Sequence, residues 1–363
     1  MILTSLFLAS GIYLSMAFLL TWSWQKQGNS PAFSEQPPIS IIVSAHNEAD
    51  NLPNLLADLC EQNYPNYELI IVLDRCSDNS ASILAAWTTQ YPHIRGVSVQ
   101  TTPTGWASKK WALSQGIAEA SHDWLALTDA DCRMDSRWLT AIATHLHPQK
   151  EVLLGISPYP AYPGLLNKLI RFETWYTAFQ YIGWTGLGLP YMGVGRNLVY
   201  RRSFFEDNHG FEAFRDRLSG DDDLLINAYA TAGHTQSMIH PHTRTFSEPK
   251  RTWRDWYQQK TRHISASTAY SWKSKMVLAI FHLAHSWFYG GILLSLSLGL
   301  ASPWIWWTYL ARIGLSWVLF GLVNRQLKES NLLLLFPVLD LLFFLYNLSI
   351  VPIGIIKVPT WTN

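Results

Sequence analysis

Ile39-Ser40-Ile41-Ile42-Val43 is an apolar, β-branched run, and Ser44-Ala45-His46-Asn47-Glu48 closes it with polar groups. Such a run, without alternation, matches a strand buried on both faces of a parallel sheet. Working outward, Leu52, Leu55, Leu56 and Leu59 recur at helical spacing and predict an amphipathic helix over 51–60. A second buried strand is predicted over 67–73, a helix over 80–90 and a weak strand over 96–100. A helix over 109–120 and a strand over 124–127 follow. Strand and helix alternate as in a parallel, doubly wound α/β sheet. Ligands of such sheets bind at the carboxyl ends of the strands, so the polar residues there are the ones to inspect.

Three of these strand ends are rich in polar groups. Ser44–Glu48 follows the first strand, Leu73-Asp74-Arg75-Cys76-Ser77-Asp78 the second, and Thr128-Asp129-Ala130-Asp131 the last. One carboxylate in such a crevice can accept hydrogen bonds from a base or ribose. Asp129 and Asp131 have the Asp-x-Asp spacing that lets two carboxylates share a hard cation, Mg²⁺ or Mn²⁺, which takes few protein carboxylates and completes its shell with phosphate oxygens. Most isolated Asp-x-Asp triplets are solvated turns, and placement at a strand end is what singles this one out. Gly220-Asp221-Asp222-Asp223 precedes Leu224-Leu225-Ile226. The acids suit a helix N-terminus. One of them also suits a general base for a hydroxyl, with neighbouring charge raising its pKa.

The rest of the chain is apolar in blocks. Residues 2–22 carry no charge and, at 1.5 Å per residue, roughly match a ~30 Å hydrocarbon core. Without a basic n-region or a cleavage site, the segment reads as an uncleaved anchor rather than a signal peptide. Further spans are predicted over 276–300, 303–323 and 331–356, the last with a break at Pro352 and either one tilted span or a span plus a re-entrant piece. Arg312 and Asp340 fall inside spans, where charges face protein, so they are candidates for pairing; snorkelling of Arg312 is the alternative. Lys and Arg cluster at 250–275 and at 325–328, which by the positive-inside rule places residues 23–275 in the cytoplasm. Residues 28–38 read as a linker.

Composition narrows the classes. The formal net charge of +1 over 363 residues gives no electrostatic case for nucleic acid. Cys60, Cys76 and Cys132 have no zinc or redox spacing and read as structural thiols in a reducing compartment. His145, His147, His234, His240 and His242 are scattered and read as structural. The aromatic stretch 165–191 reads either as an ordinary interfacial or core helix or as a wall of an acceptor site. Pro249 to Lys275 is basic and Trp-rich, and Arg251, Trp253, Arg254 and Trp256 are expected on an anionic lipid surface. Arg262 there has the planar fork that suits a diphosphate.

The order of these motifs over residues 38–275 resembles the family-2 glycosyltransferases. The matching elements are Ser44–Glu48, Asp74–Asp78, Lys109-Lys110, Thr128–Asp131, Gly195–Leu198, Gly220–Asp222 and Gln259–His263. The last two resemble the Gly-Asp-Asp and Gln-x-x-Arg-Trp elements of membrane-embedded members. The resemblance implies a GT-A (Rossmann-like) nucleotide-sugar-binding α/β domain over 38–248, between an N-terminal anchor at 1–25 and about three C-terminal transmembrane helices at 276–356. An amphipathic segment at 249–275 joins them. It implies an inverting transfer in which Asp222 is the base with Asp221 beside it and Asp129 and Asp131 bind metal. Ser44, Asn47, Glu48, Asp74, Lys109, Lys110, Asp129, Gln259, Arg262 and His263 would bind the donor. Departures are His263 for the usual Trp, Leu73 for the first Asp of an Asp-Asp pair, and Arg75 for a common Gly.

The expected protein is thus a multi-pass enzyme of the cell (inner) membrane. It would use Mg²⁺ or Mn²⁺ to move a sugar from a nucleoside diphosphate to a lipid or membrane-associated hydroxyl, with no nucleic-acid partner. A polyprenyl-phosphate sugar synthase is one rival. A non-catalytic membrane scaffold is another, disfavoured by the intact Asp129, Asp131, Asp222 and Arg262.

Overall fold

A computed structural model describes residues 1–27, 33–300 and 302–356. Most of the expected linker, at 28–32, therefore lies outside the described residues. The first half runs α1 (Ile2–Gln27), β1 (Ile39–Ala45), α2 (Leu52–Cys60), β2 (Tyr67–Asp74), α3 (Ser80–Gln90), β3 (Ile94–Val99), α4 (Ser108–Ala118), β4 (Trp124–Asp129), β5 (Cys132–Met134) and α5 (Trp138–Ala143). Next come β6 (Val152–Leu154), α6 (Leu165–Gly186), β7 (Leu198–Arg201), α7 (Arg202–Asp207), α8 (Asp223–Tyr229), β8 (Thr235–Ser237) and β9 (Thr245–Ser247). The chain closes with α9 (Trp253–Ala266), α10 (Trp272–Ser297), α11 (Pro303–Leu327), α12 (Ser330–Leu334) and α13 (Phe336–Ile356). The contacts divide these elements into two units.

The sheet unit holds a seven-stranded sheet in the order β3-β2-β1-β4-β7-β6-β8. Its first four strands are parallel, as the alternation predicts. Beyond β4 the sheet turns mixed, because β7 pairs antiparallel with both β4 and β6. β1 is buried along nearly its whole length, as its mostly apolar pattern without alternation requires. Ser44 pairs in register with Val72 and with Asp129, so the polar ends of β1, β2 and β4 are level. β5 and β9 form a separate antiparallel ribbon directly after Asp131.

The amino end of this sheet is tied by Glu68. Its carboxylate accepts from Ser40 Oγ at 2.6 Å, from the Ser121 amide and from Arg95. Burial opposes its charge, but these donors outweigh it and hold the carboxyl down at about 2. With the folded pKa below the ordinary 4.5, the stabilisation is full above that value and is lost as pH falls through about 2. Glu68→Gln is expected to cost about 2 kcal/mol at pH 7 and progressively less below pH 4.5, read by thermal unfolding across pH. A penalty that does not shrink in acid would refute the electrostatic account.

The helical unit gathers three separate stretches, Met1–Lys26, Ala161–Leu187 and Lys250–Val358. Four of its helices, α1, α10, α11 and α13, are long and apolar enough to cross a membrane. The break expected at Pro352 falls instead at Leu335, between α12 and α13, and Pro352 lies inside α13. α6 is a core helix of this unit. Tyr13 and Tyr176 join hydroxyls at 3.0 Å, and Ser23 Oγ donates to the Gly183 carbonyl at 2.7 Å. Only glycine fits at 183, since a Cβ there would lie 2.8 Å from Leu20 Cδ2.

Charges inside the unit are paired. Asp340 takes Arg312 on one oxygen together with the Tyr289 hydroxyl at 2.7 Å, and His285 Nε2 lies 3.1 Å from the other. Arg312 and Asp340 side chains are fully buried, which settles their pairing over snorkelling. Lys260 of α9 pairs with Glu173 of α6. On α9, Trp253 is exposed, but Trp256 is buried against Tyr346 with ring centroids 5.3 Å apart. Trp256 therefore packs inside the protein, contrary to its expected place on a lipid surface: it is wedged between Tyr346 and the ring of Trp253, 5.7 Å away and one turn earlier at the exposed start of the helix.

Candidate active site

The carboxyl ends of the parallel strands draw their polar residues together. Asn47 Oδ1 accepts the Ser77 amide at 2.8 Å, and Asp78 accepts the Ala49 amide at 2.9 Å, so the loops after β1 and β2 are stitched into one surface. The Glu48 carboxyl is pushed up by burial and by Asp131 and Asp129, which places these three acids within one another's field. Asp74, nearly buried at the end of β2, is clamped by its neighbour: Arg75 Nε and Nη2 reach its two oxygens at 2.8 and 3.2 Å. Arg75 has φ +50°, a conformation that favours glycine, and it is the residue standing where the resemblance has a glycine.

Lys109, on the first turn of α4, bridges distant motifs. Its Nζ lies 2.9 Å from Asp129 Oδ1 and 3.0 Å from Asp221 Oδ2. Burial disfavours its charge, but Asp129, Asp221 and Asp222 overcome that and raise its pKa well above the ordinary lysine value. Lys110 points elsewhere. Its ammonium is buried and donates to the carbonyls of Arg217 and Ser219 at 2.6 and 2.8 Å. It holds the loop that leads into the acidic turn. Burial pulls its pKa down.

That turn is built on Gly220, whose φ of +91° only glycine adopts without strain. Asp222 caps α8, accepting the Asp223 amide at 2.8 Å on Oδ1 and the Gly195 amide at 2.6 Å on Oδ2. The helix-cap reading of the cluster is thus correct for Asp222, and does not preclude chemistry at its remaining lone pairs. The two neighbours titrate in opposite directions. Burial opposes ionisation of Asp221, but Lys109 and Lys110 overcome it and hold its pKa low. Burial and the charge of Asp221 push the Asp222 carboxyl up.

Asp131 is also pushed up, by burial and then by Asp129, and its Oδ2 accepts from Ser247 Oγ of β9 at 3.1 Å. Ser247 was invisible to sequence reasoning because it lies 116 residues away. Arg196 was missed too, although Gly195–Leu198 is among the matching elements. Its guanidinium stacks 4.4 Å over Tyr159 and its Nη2 donates to the Ser157 carbonyl at 3.2 Å. Its field opposes the rise of the Asp131 pKa. Gln259, Arg262 and His263 lie on α9 in the helical unit, the first two half-buried and His263 exposed.

Among the described residues no group of three or more His, Cys, Asp or Glu could hold a metal ion. Asp129 and Asp131 offer two hard carboxylates without nitrogen or sulfur. This donor set fits Mg²⁺ or Mn²⁺ completed by phosphate and water, and does not fit a closed zinc site.

The sequence profile of glycosyl transferase family 21 matches residues 2–351. The chain belongs to glycosyl transferase family 21. The resemblance named family 2; the match keeps its coarser content, a glycosyltransferase family with a GT-A-like fold. This family 21 chain is 26% identical over 237 residues to the probable glycosyltransferase YdaM of Bacillus subtilis (strain 168), covering 63% of the chain and 54% of that relative. It is 31% identical over 116 residues to a beta-monoglucosyldiacylglycerol synthase of Trichormus variabilis, covering 31% of the chain and 24% of the synthase. The alignments thus span about half, or less, of those relatives' lengths. Among solved structures, the mannosyltransferase PcManGT from Pyrobaculum calidifontis in complex with GDP-Man and Mn²⁺ superposes with a TM-score of 0.57 at 17% identity, covering 90% of this chain and 99% of that one. At that identity the likeness establishes the fold.

Proposed function

We propose that the protein is an inverting, divalent-cation-dependent glycosyltransferase that moves a sugar from a nucleoside diphosphate to a lipid or membrane-associated hydroxyl. The observation that carries this reading is the Lys109 bridge, which brings the end of β4 and the Gly220–Asp222 turn within 3.0 Å of a single ammonium. In this reading Asp74, held by Arg75, accepts from the base, and Ser44, Asn47 and Glu48 line the donor surface. Asp129 and Asp131 would hold the cation, which supplies charge neutralisation at the diphosphate. Asp222 takes the proton of the acceptor hydroxyl, its raised pKa giving it more affinity for that proton than Asp221. Asp221 and Lys109 fix the charge beside it.

The lipid acceptor is supported by the four apolar helices and by the diacylglycerol relative. We further assign the protein to the inner membrane as a multi-pass protein with residues 23–275 cytoplasmic, on the distribution of Lys and Arg.

The test is a binding and hydrolysis panel of nucleoside diphosphate sugars with Mg²⁺ or Mn²⁺, followed by mass spectrometry of lipid products. One donor is expected to bind selectively and to be consumed with a cation present. A product carried by polyprenyl phosphate would move the acceptor to that class. No binding or consumption of any donor would overturn the enzyme reading in favour of a scaffold.

A further inference from the structure

Two adjacent lysines at the start of α4 are held in different ways. Lys110 is 1% exposed and fixed by two carbonyls. The side chain of Lys109 is 39% exposed, and its ammonium rests only on carboxylates, Asp129 at 2.9 Å and Asp221 at 3.0 Å. Asp129 is also one of the two carboxylates proposed above for the cation. Its Oδ1 cannot serve the ammonium and a divalent ion at once without bringing three positive charges together. A diphosphate changes that balance, because its oxygens can receive the ammonium as the ion takes the carboxylate.

We infer that Lys109 is an exchangeable counter-cation that sets the order of binding, keeping Asp129 from taking a divalent ion alone and releasing it when the ion arrives with the donor diphosphate. The inference rests on the donor and cation reading above and adds a role specific to this lysine. Without Lys109, Asp129 would lose the ammonium at 2.9 Å and the acidic pair would keep the field of Arg196, a weaker guard against divalent ions in solution. With it, the acids stay neutralised and the site takes the cation mainly as the donor complex. Lys110 keeps the acidic turn braced while its neighbour moves.

The test measures Mn²⁺ binding to the full-length protein in detergent, by paramagnetic resonance of the unbound ion, with and without GDP or UDP as the diphosphate probe. The original protein is expected to bind Mn²⁺ weakly alone and at least about tenfold more tightly with the matching nucleotide, the scale on which one adjacent charge biases a carboxylate. Lys109→Met is expected to bind Mn²⁺ alone at least about tenfold more tightly than the original, with a smaller gain from nucleotide. Lys109→Arg should behave as the original does, and Lys109→Gln serves in place of Lys109→Met if that variant unfolds early. Neutral variants that bind Mn²⁺ alone no more tightly than the original overturn the inference while leaving nucleotide-dependent binding, and the proposed function, intact. If nucleotide binds without any need for Mn²⁺, the inference and the cation role both fall, and donor binding stands. If neither nucleotide nor Mn²⁺ binds, both readings fall.

Discussion

Asp222→Asn is expected to lower kcat by about 10²–10⁴-fold while changing donor affinity little, the range that a positioned general base contributes. The substitution keeps size and one acceptor oxygen. It can therefore still receive one of the two amides, Gly195 or Asp223, that the carboxylate now receives, and the turn should survive. The pH profile separates chemistry from packing. A base must be deprotonated, so turnover falls as pH drops through its pKa. Burial and Asp221 raise that pKa, which places the acid limb above the ordinary aspartate value of 3.8. The residual activity of Asp222→Asn should lack that limb. Parallel loss of donor binding and turnover would instead make Asp222 a strut. Asp221→Asn serves as the contrast: it strips Lys109 of one carboxylate, so donor and cation binding should change along with turnover.

Asp340→Ala is expected to destabilise the helical unit by about 3–5 kcal/mol, because it leaves the buried Arg312 guanidinium uncompensated. Tyr289 and His285 lose an acceptor at the same time. The faces of Tyr13 and Phe288, 4.1 and 4.6 Å from the guanidinium, offer partial compensation at best. Replacing both partners, as Asp340→Leu with Arg312→Met, should recover most of the loss, since an apolar pair carries no desolvation penalty. Unfolding in detergent read by tryptophan fluorescence decides the matter. A double variant no better than Asp340→Ala would mean that the charge pair is not what holds these helices together.

The parallel half of the sheet was legible because each strand is long enough to show a pattern. β1 is seven residues and β2 eight, and each holds a consecutive apolar stretch, Ile41–Val43 and Leu69–Leu73, bounded by polar groups. β5, β6, β8 and β9 have three residues each, too few for a period to register. The antiparallel entry of β7 is a tertiary choice with no local sign. In the helical unit the pairing of Arg312 with Asp340 was legible, since a charge within a span needs a partner. The helix break was not. Proline at 352 was the natural suspect, but it is accommodated inside α13, and the observed break at Leu335 lies two residues before Pro337, which sits in the first turn of α13 where its missing amide costs no helix bond. At the site, motif order marked Asp129, Asp131, Asp221 and Asp222. Neighbouring helix residues point about 100° apart by helix geometry, so only coordinates could tell Lys109 from Lys110. Arg196 and Ser247 acquire meaning only from what lies beside them.

The interleaving of the two units along the chain has a consequence for biogenesis. β7 sits between β4 and β6, yet it leaves the ribosome only after α6 has been made. Until then a nascent chain ending near residue 187 carries β4 with one side unpaired and β6 with neither neighbour. Open strand edges of that kind recruit other chains. Closure of the sheet unit is therefore timed by synthesis of a helix that belongs to the other unit, and a chain cut short just past α6 would be a species ready to aggregate.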